Sequence, residues 1–274
     1  MRGLKVVAWC MFFVFLMTEW APSEADARRK RKRKAKSPPQ FVVLDGIRER
    51  VFWNDGDSFR VTRGPRKGFK ARLADYNTLE SYGPVHFWGG YSAWDMYKLA
   101  KKGTMLARSR EWICKSKGTS GGYGRTVVHC PGLSEAILKA GYAHLFTVGK
   151  TRAPAKLVQI QREAQNKRRG IWARGIPKWI VTSIHSMDEP TRDGSVRKKA
   201  YNRICDTVTG RSKGWYHTTV FKPCDAFCWG GSCMLYVPFK VRYAKPRPFC
   251  MRAGWKSRLV PAPPIRTPLS KKRP

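Results

Sequence analysis

Short runs in which apolar and polar residues alternate dominate the first half of the chain after residue 40. The runs are FVVLDGI, RVFWN, SFRVTR and FKARLAD, and Gly, Pro, Asn and Asp residues separate them. This pattern predicts half-buried β-strands. REWICKS and GRTVVHC predict two further strands, joined by a glycine-rich turn around Gly121 and Gly122.

Three segments instead have apolar residues at helical spacing. Residues 91–102 predict a helix with an uncertain end at Gly103. SEAILKAG predicts a short helix capped by Ser134, and PAKLVQIQREAQNKRRG predicts a longer one with Pro154 in its first turn. Strands first and helices afterwards, without βαβ alternation, predict an α+β or mainly β fold. The expected architecture is a five-stranded OB-fold barrel with packed helices.

Composition divides the rest of the chain. Residues 41–180 are expected to form the barrel domain, and residues 181–256 a small extension rich in cysteines and aromatic residues, stapled by disulfides. Residues 257–274 are a Pro-rich basic tail that cannot bury a core.

The first 27 residues have the features of a secretory signal peptide. Arg2 and Lys5 are followed by an apolar run over residues 6–17, and Ala25 and Ala27 form an A-x-A cleavage pattern. The run is shorter than the roughly 20 residues of a membrane span, although an uncleaved anchor is the alternative. We therefore expect a secreted or periplasmic protein without stable membrane insertion after cleavage.

The net charge of +37, from 55 Lys and Arg against 18 Asp and Glu, predicts a polyanionic partner. Nucleic acid is the first candidate, and an anionic membrane or cell-wall polymer is the second. Part of the excess lies in the basic run of residues 28–34, within an expected disordered linker over residues 28–40.

Export changes how the cysteines are interpreted, because disulfides persist in oxidising compartments. Seven cysteines follow the signal segment, namely Cys114, Cys130, Cys205, Cys224, Cys228, Cys233 and Cys250. Because seven is an odd number, one thiol is left over or pairs with another chain. A disulfide between Cys114 and Cys130 is expected across neighbouring strands. The alternative is a zinc site at Cys224, Cys228, Cys233 and His217, although paired C-x2-C knuckles are missing.

Five motifs in register resemble the thermonuclease family, the staphylococcal-nuclease-like domains. They are NDGDSFRV at 54–61, RLADYNTLE at 72–80, GGYGRTVVH at 121–129, EAILKAGYA and REAQNKRRGIW. The resemblance covers roughly residues 41–175.

The resemblance implies a Ca²⁺ site made by Asp57, Asn77 and the backbone carbonyl of Thr78. Asn77 stands where the family usually has a second aspartate, so the site has one negative charge fewer, and another divalent ion is an alternative. Asp75 is a candidate to replace the missing charge. Asp55 is expected to shape the turn before Asp57.

The resemblance also implies catalytic roles for Arg72, Glu80 and Arg125. Glu80 would orient or deprotonate water, and the two arginines would bind phosphate oxygens with their planar donors. Tyr123 would contact the nucleotide, or is simply a tyrosine of a barrel strand.

These residues favour a secreted, sugar-nonspecific endonuclease that hydrolyses DNA and RNA as a monomer. The resemblance implies metal-assisted water attack that leaves 3′-phosphate ends. One alternative is a non-catalytic nucleic-acid-binding module of the same fold. Another is an envelope-binding structural protein that uses its basic tails.

Overall fold

The computed structural model describes residues 40–191, 195 and 198–252, all of which belong to one compact unit, Pro39–Pro274. The predicted signal segment, the basic run and the Pro-rich tail lie outside the described residues. The last residue of the expected linker, Gln40, already begins the first strand.

A closed barrel forms the centre of the fold, which confirms the barrel prediction with six strands in place of five. Its strands, in barrel order, are β1 (Gln40–Leu44), β2 (Ile47–Trp53), β3 (Ser58–Val61), β4 (Lys70–Leu73), β8 (Thr126–His129) and β7 (Trp112–Ser120). The six strands correspond to the six strand-like runs predicted from the sequence, so only the strand number of the expected architecture was wrong. Asp45 and Gly46, both at positive φ, form the tight turn of the hairpin between β1 and β2. Trp53 and Phe59 are fully buried in the barrel core.

Three α-helices pack against the barrel: α1 (Ala93–Arg108), α2 (Pro131–Lys139) and α3 (Ala155–Asn166). Helix α1 begins at the capping box of Ser92 and runs through Gly103, so the expected end there is wrong. A Cβ at Gly103 would lie 3.2 Å from the carbonyl oxygen of Tyr142, and the glycine therefore serves close packing. Helix α2 begins earlier than predicted, and Ser134 lies inside it and donates to the carbonyl of Cys130.

The remaining strands form three small sheets. Strand β5 (Tyr76–Thr78) pairs with β9 (Ala143–Leu145), and β10 (Trp179–Ser183) pairs with β11 (Ala200–Asp206), which in turn pairs with β12 (Ser212–His217). Strand β6 (His86–Trp88) joins the hairpin of β13 (Ala226–Trp229) and β14 (Ser232–Leu235). The C-terminal extension is thus hydrogen-bonded to the segment that directly follows the predicted site.

Three disulfides are present among the described residues: Cys114–Cys130, Cys224–Cys250 and Cys228–Cys233. The predicted pair and the disulfide-stapled extension are confirmed, and Cys205 is a buried free thiol. The alternative zinc site is wrong because its three cysteines are oxidised. Three disulfides are typical of an extracellular or otherwise oxidising compartment. In the part of the chain that the structure describes, no helix is long and apolar enough to cross a membrane.

His86 carries a prediction for the pH dependence of stability. It is buried in β6, and neither ring nitrogen has a hydrogen-bond partner among the described residues. Burial, and to a smaller extent the neighbouring His144, lowers the pKa of His86 to about 3. The unfolded chain binds a proton below about pH 6.5 while the folded chain does not, so stability is lost as the pH falls.

We expect His86→Phe to reduce the slope of the unfolding free energy between pH 7 and pH 5. One such histidine contributes at most about 1.4 kcal/mol for each pH unit below its ordinary pKa. Urea unfolding at both pH values measures the slope. An equal slope in the parent and in His86→Phe would contradict the prediction.

Candidate active site

Asp57 lies at the start of β3, where a glycine allows the chain to pass close to β5. A Cβ at Gly56 would lie 2.6 Å from the side-chain methyl of Thr78 and 3.1 Å from the backbone of Gly103 in α1. Tyr76 donates its hydroxyl to the Gly56 carbonyl at 2.8 Å. The D-G-D turn is therefore held against β5, and its second carboxylate is directed at that strand.

Arg72, on β4, joins the Asp57 carboxylate to the Asn77 amide. One terminal nitrogen of its guanidinium donates to Asp57 Oδ1 at 2.5 Å, and the other donates to Asn77 Oδ1. The nearby carboxylates raise the pKa of Arg72 although burial opposes this. Two of the five N–H donors of the guanidinium are used here, which leaves the others for a substrate.

Thr78 completes this network. Its backbone N–H donates to Asp57 Oδ2 at 2.8 Å, and its hydroxyl donates to the same oxygen at 3.1 Å. The Asn77 side-chain amide donates to the Thr78 carbonyl at 2.8 Å. All three predicted metal ligands therefore lie together, and each is oriented by a hydrogen bond to another.

The donor set fits a hard cation in its chemistry. Asp57 Oδ1 and Asn77 Oδ1 converge on one guanidinium, so a positive charge already lies between the two oxygens, and Ca²⁺ prefers oxygen ligands of this kind. Only one of these ligands is a carboxylate. Among the described residues, no group of three or more His, Cys, Asp and Glu side chains is placed to hold a metal ion.

Neither additional aspartate replaces the missing charge. Asp75, at φ 71°, directs its carboxylate to His129 Nδ1 at 3.0 Å, away from Asp57. Asp55 accepts from the Asp57 backbone N–H at 3.1 Å and from the Ser58 hydroxyl at 2.7 Å, as expected of a turn-shaping residue. Burial and the Asp57 carboxylate raise the pKa of Asp55 well above its ordinary value.

Arg125 and Tyr123 lie in the glycine-rich turn between β7 and β8. A Cβ at Gly121 would lie 2.9 Å from Cβ of Arg72, so only glycine lets the turn approach that arginine. The Arg125 guanidinium donates to the carbonyls of Gly122 and Gly121 at 3.2 and 3.4 Å and lies 5.6 Å from the Tyr123 ring centroid. Burial lowers the pKa of Arg125, and so does the positive charge of Arg72 nearby.

Tyr123 is 79% exposed and occupies a turn at φ 53°. It is therefore not a barrel-strand tyrosine, and that alternative is wrong. An exposed ring beside an arginine is free to contact a ligand.

Glu80 follows β5 and lies within electrostatic range of Arg72 and Arg125. It forms no hydrogen bond or ion pair with any other described residue. Burial raises the pKa of the Glu80 carboxyl and Asp57 raises it further, whereas the charges of Arg242, Arg72 and Arg125 lower it. A carboxylate with a raised pKa and no fixed partner has the properties of a general base.

Residues 73–174, less than half of the chain, match the family model described as Staphylococcal nuclease homologue. This segment is a staphylococcal nuclease homologue domain. The predicted family is thereby confirmed, and with it the relation to nucleases and to nucleic-acid binding. No curated protein matches the chain.

The matched segment of the nuclease-homologue domain contains Asn77, Thr78, Glu80, Tyr123 and Arg125, and it begins one residue after Arg72. Asp57 and Arg72 lie outside the match, and the fold brings them into contact with Asn77 and Thr78.

Arg242 is a neighbour of the site that the sequence did not indicate. It comes from the C-terminal extension, where its Nε donates to the Val237 carbonyl at 3.1 Å and its guanidinium lies 4.0 Å from the Tyr82 ring centroid. Its charge acts on Glu80 more strongly than that of either predicted arginine. No motif could reveal this, because the contact depends on the pairing of β14 with β6.

Proposed function

We propose that the protein is an exported endonuclease that hydrolyses phosphodiester bonds of DNA and RNA without selecting the sugar. The observation that supports this most is the Arg72–Asp57 ion pair, which lies within electrostatic range of Glu80, a carboxylate on which the charge of Arg125 also acts. A non-catalytic nucleic-acid-binding module needs positive charge but no unpaired carboxylate between two arginines.

In the proposed reaction Glu80 takes a proton from a water molecule as its oxygen attacks phosphorus. The new bond is between that oxygen and phosphorus, and the bond from phosphorus to the 5′-oxygen breaks. The 5′-oxygen leaves as an alkoxide and takes up a proton from solvent, which gives a 5′-hydroxyl and leaves the 3′-phosphate on the other product. Arg125 and the free N–H groups of Arg72 donate to the phosphoryl oxygens, where negative charge develops in the transition state. The Tyr123 ring contacts the nucleotide.

Nucleases of this family typically depend on Ca²⁺. In this chain Asp57, Asn77 and the Thr78 carbonyl would hold the ion, which when bound would neutralise charge on the phosphoryl oxygens. Another divalent cation is an alternative because the site has only one carboxylate ligand.

Export is part of the proposal. It is supported by the three disulfides and by the signal-like sequence of residues 1–27, which lies outside the described residues. We propose that the mature protein acts as a monomer outside the cytoplasm.

The test is degradation of plasmid DNA and of single-stranded RNA by the mature protein, with added Ca²⁺ and with a chelator. We expect both substrates to be cut in Ca²⁺ and neither in chelator. Binding of both nucleic acids without cleavage under any divalent cation would favour the non-catalytic module.

Asn77→Asp tests the metal ligands. A second carboxylate adds a full negative charge to the ion's shell, so we expect the variant to reach half-maximal activity at a lower Ca²⁺ concentration. The measurement is activity against Ca²⁺ concentration for both proteins. Asp75→Asn is the matched control. The Asp75 carboxylate is paired with His129 and not with the predicted ligands, so its removal should leave the midpoint unchanged. An unchanged midpoint in Asn77→Asp would show that residue 77 does not bind the ion.

A further inference from the structure

A line of aromatic and arginine side chains leads from the candidate site onto the C-terminal extension. Phe146 lies next to β9, with its ring centroid 5.8 Å from the Arg72 guanidinium carbon. Arg203 of β11 lies 5.9 Å from the same centroid. Arg203 is also 5.5 Å from the Tyr201 ring, which lies 6.1 Å from the ring of Tyr216 on β12. We call Phe146, Arg203, Tyr201 and Tyr216 the aromatic strip.

Tyr201, Arg203 and Tyr216 of the strip lie on one face of a sheet. In the β11–β12 pairing Tyr201 lies opposite Tyr216, and Arg203 lies opposite Gly214, so their side chains share a face. The alternate residues of β11, Asn202 and Ile204, are fully buried on the other face. Gly214 has no side chain to cover the rings beside it, and Tyr216 is 68% exposed.

The strip is joined to the nuclease-homologue domain by direct hydrogen bonds. The Thr147 N–H donates to the Gly210 carbonyl at 2.7 Å, and the Ser212 hydroxyl donates to the Thr147 carbonyl at 2.6 Å. Phe146 precedes Thr147 and Ser212 begins β12. The exposed face is therefore held in register with the active-site edge of the domain.

The charge of the strip is positive. Arg203 forms no ion pair with a carboxylate of any described residue, and it donates only to the Ser212 hydroxyl at 3.4 Å. Glu189 lies near this face but is hydrogen-bonded to His185, which packs on the other side of Tyr201. The strip thus has one exposed ring, Tyr216, two half-buried rings, Phe146 and Tyr201, and one arginine, Arg203, without an ion pair among the described residues. Rings and arginines are combined in single-strand binding grooves, where bases stack on the rings and positive side chains follow the backbone.

We propose that the aromatic strip binds the unpaired bases of a single-stranded nucleic acid whose scissile phosphate lies in the candidate active site. Tyr216 and Tyr201 stack on bases, and Arg203 binds the intervening phosphate. A duplex hides the faces of its bases, so the strip selects single strands. This inference rests on the proposed function for the position of the scissile phosphate, but the binding itself requires no catalysis.

The test is binding of fluorescent oligothymidylates in chelator, where the proposed hydrolysis does not occur. The probes are a strand of about 12 nucleotides, within the range that single-strand grooves cover, a strand of about 3, and a duplex. We expect Tyr216→Ala to weaken binding of the longer strand about five- to a hundred-fold and to leave the short strand and the duplex unchanged. Arg203→Gln should likewise weaken binding of the longer strand and leave binding of the short strand and the duplex unchanged.

The matched controls come from an arginine–aromatic pair elsewhere on the barrel. Arg60 lies 4.7 Å from the ring of Phe52, which is 44% exposed, and neither contacts the strip. Phe52→Ala and Arg60→Gln should bind all three probes like the parent. Thermal unfolding verifies that Tyr216→Ala remains folded, as its exposure predicts.

Equal binding of the longer strand by Tyr216→Ala and the parent would overturn the proposal. So would an equal loss for strand and duplex, which would indicate a general electrostatic effect. Strip-dependent binding by a protein that cuts no substrate under any divalent cation would support the strip and refute the proposed nuclease activity. Cleavage with normal strand affinity in both variants would refute the strip alone.

Discussion

Glu80→Gln is expected to lower the turnover number on single-stranded DNA by about 10²–10⁴-fold, the usual contribution of a positioned acid–base group. Glutamine has the same shape as glutamate but cannot take a proton from water at neutral pH. The melting temperature should not fall. Glu80 forms no bond that the substitution would break among the described residues, and burial disfavours its charge.

The parent should also lose activity as the pH falls through the raised pKa of Glu80, because the protonated carboxyl cannot act as a base. The pH–rate profile of Glu80→Gln should lack this acid limb. Glu163→Gln is the matched control: it removes a carboxylate on α3 that pairs with Lys167 at 2.8 Å, and it should leave both rate and profile unchanged. A near-parental rate in Glu80→Gln would show that another group activates the water.

The local parts of the site were predictable from sequence because short motifs determine them. The D-G-D turn, Asn77 and Thr78 each lie within a few residues of a strand end, and their side chains meet because β3, β4 and β5 are neighbours in the chain. The role of Asp75 was not predictable. Alternation along a strand would place it with Asn77, but the positive φ at Asp75 interrupts the alternation and turns the carboxylate to His129.

The helix boundaries show the same limit. Gly103 is a common helix terminator in sequence, yet here it lies inside α1 because the chain at Tyr142 passes too close for a side chain. Ser134 is a good capping residue, but α2 begins at Pro131, directly after the cysteine bonded to Cys114. Tertiary contacts determine both helix boundaries, and such contacts produce no pattern in the local sequence.

The extension was predicted as a disulfide-stapled unit, and its disulfides are present. Its relation to the site was not predicted, because the pairing of β14 with β6 joins segments distant in sequence. The β14–β6 pairing brings Arg242 to Tyr82, which follows Glu80 by two residues. The hydrogen bonds of Thr147 bring Arg203 to Phe146, whose ring also lies near Arg72. An extension built only for stability would not need two arginines without carboxylate partners, among the described residues, at these places.

The two predicted arginines should differ when removed, because their partners differ. Arg125→Ala is expected to lower kcat/KM by about 10²–10³-fold, the usual loss for one donor to a developing negative charge. The melting temperature should stay near that of the parent, since Arg125 donates only to carbonyls of its own turn. The kcat/KM of Arg125→Lys should lie between those of the parent and of Arg125→Ala, because an ammonium keeps the positive charge but not the planar fork of N–H donors.

Arg72→Ala should lower activity by a similar factor and also destabilise the fold by about 3–5 kcal/mol, because it leaves the buried Asp57 carboxylate without its partner. Urea unfolding and steady-state kinetics on the same preparations separate the two effects, and Arg162→Ala on the exposed face of α3 is the control for loss of positive charge. Equal destabilisation by Arg125→Ala and Arg72→Ala would mean that Arg125 also supports the fold. In that case the activity lost with Arg125 would no longer indicate a contact with the substrate phosphate.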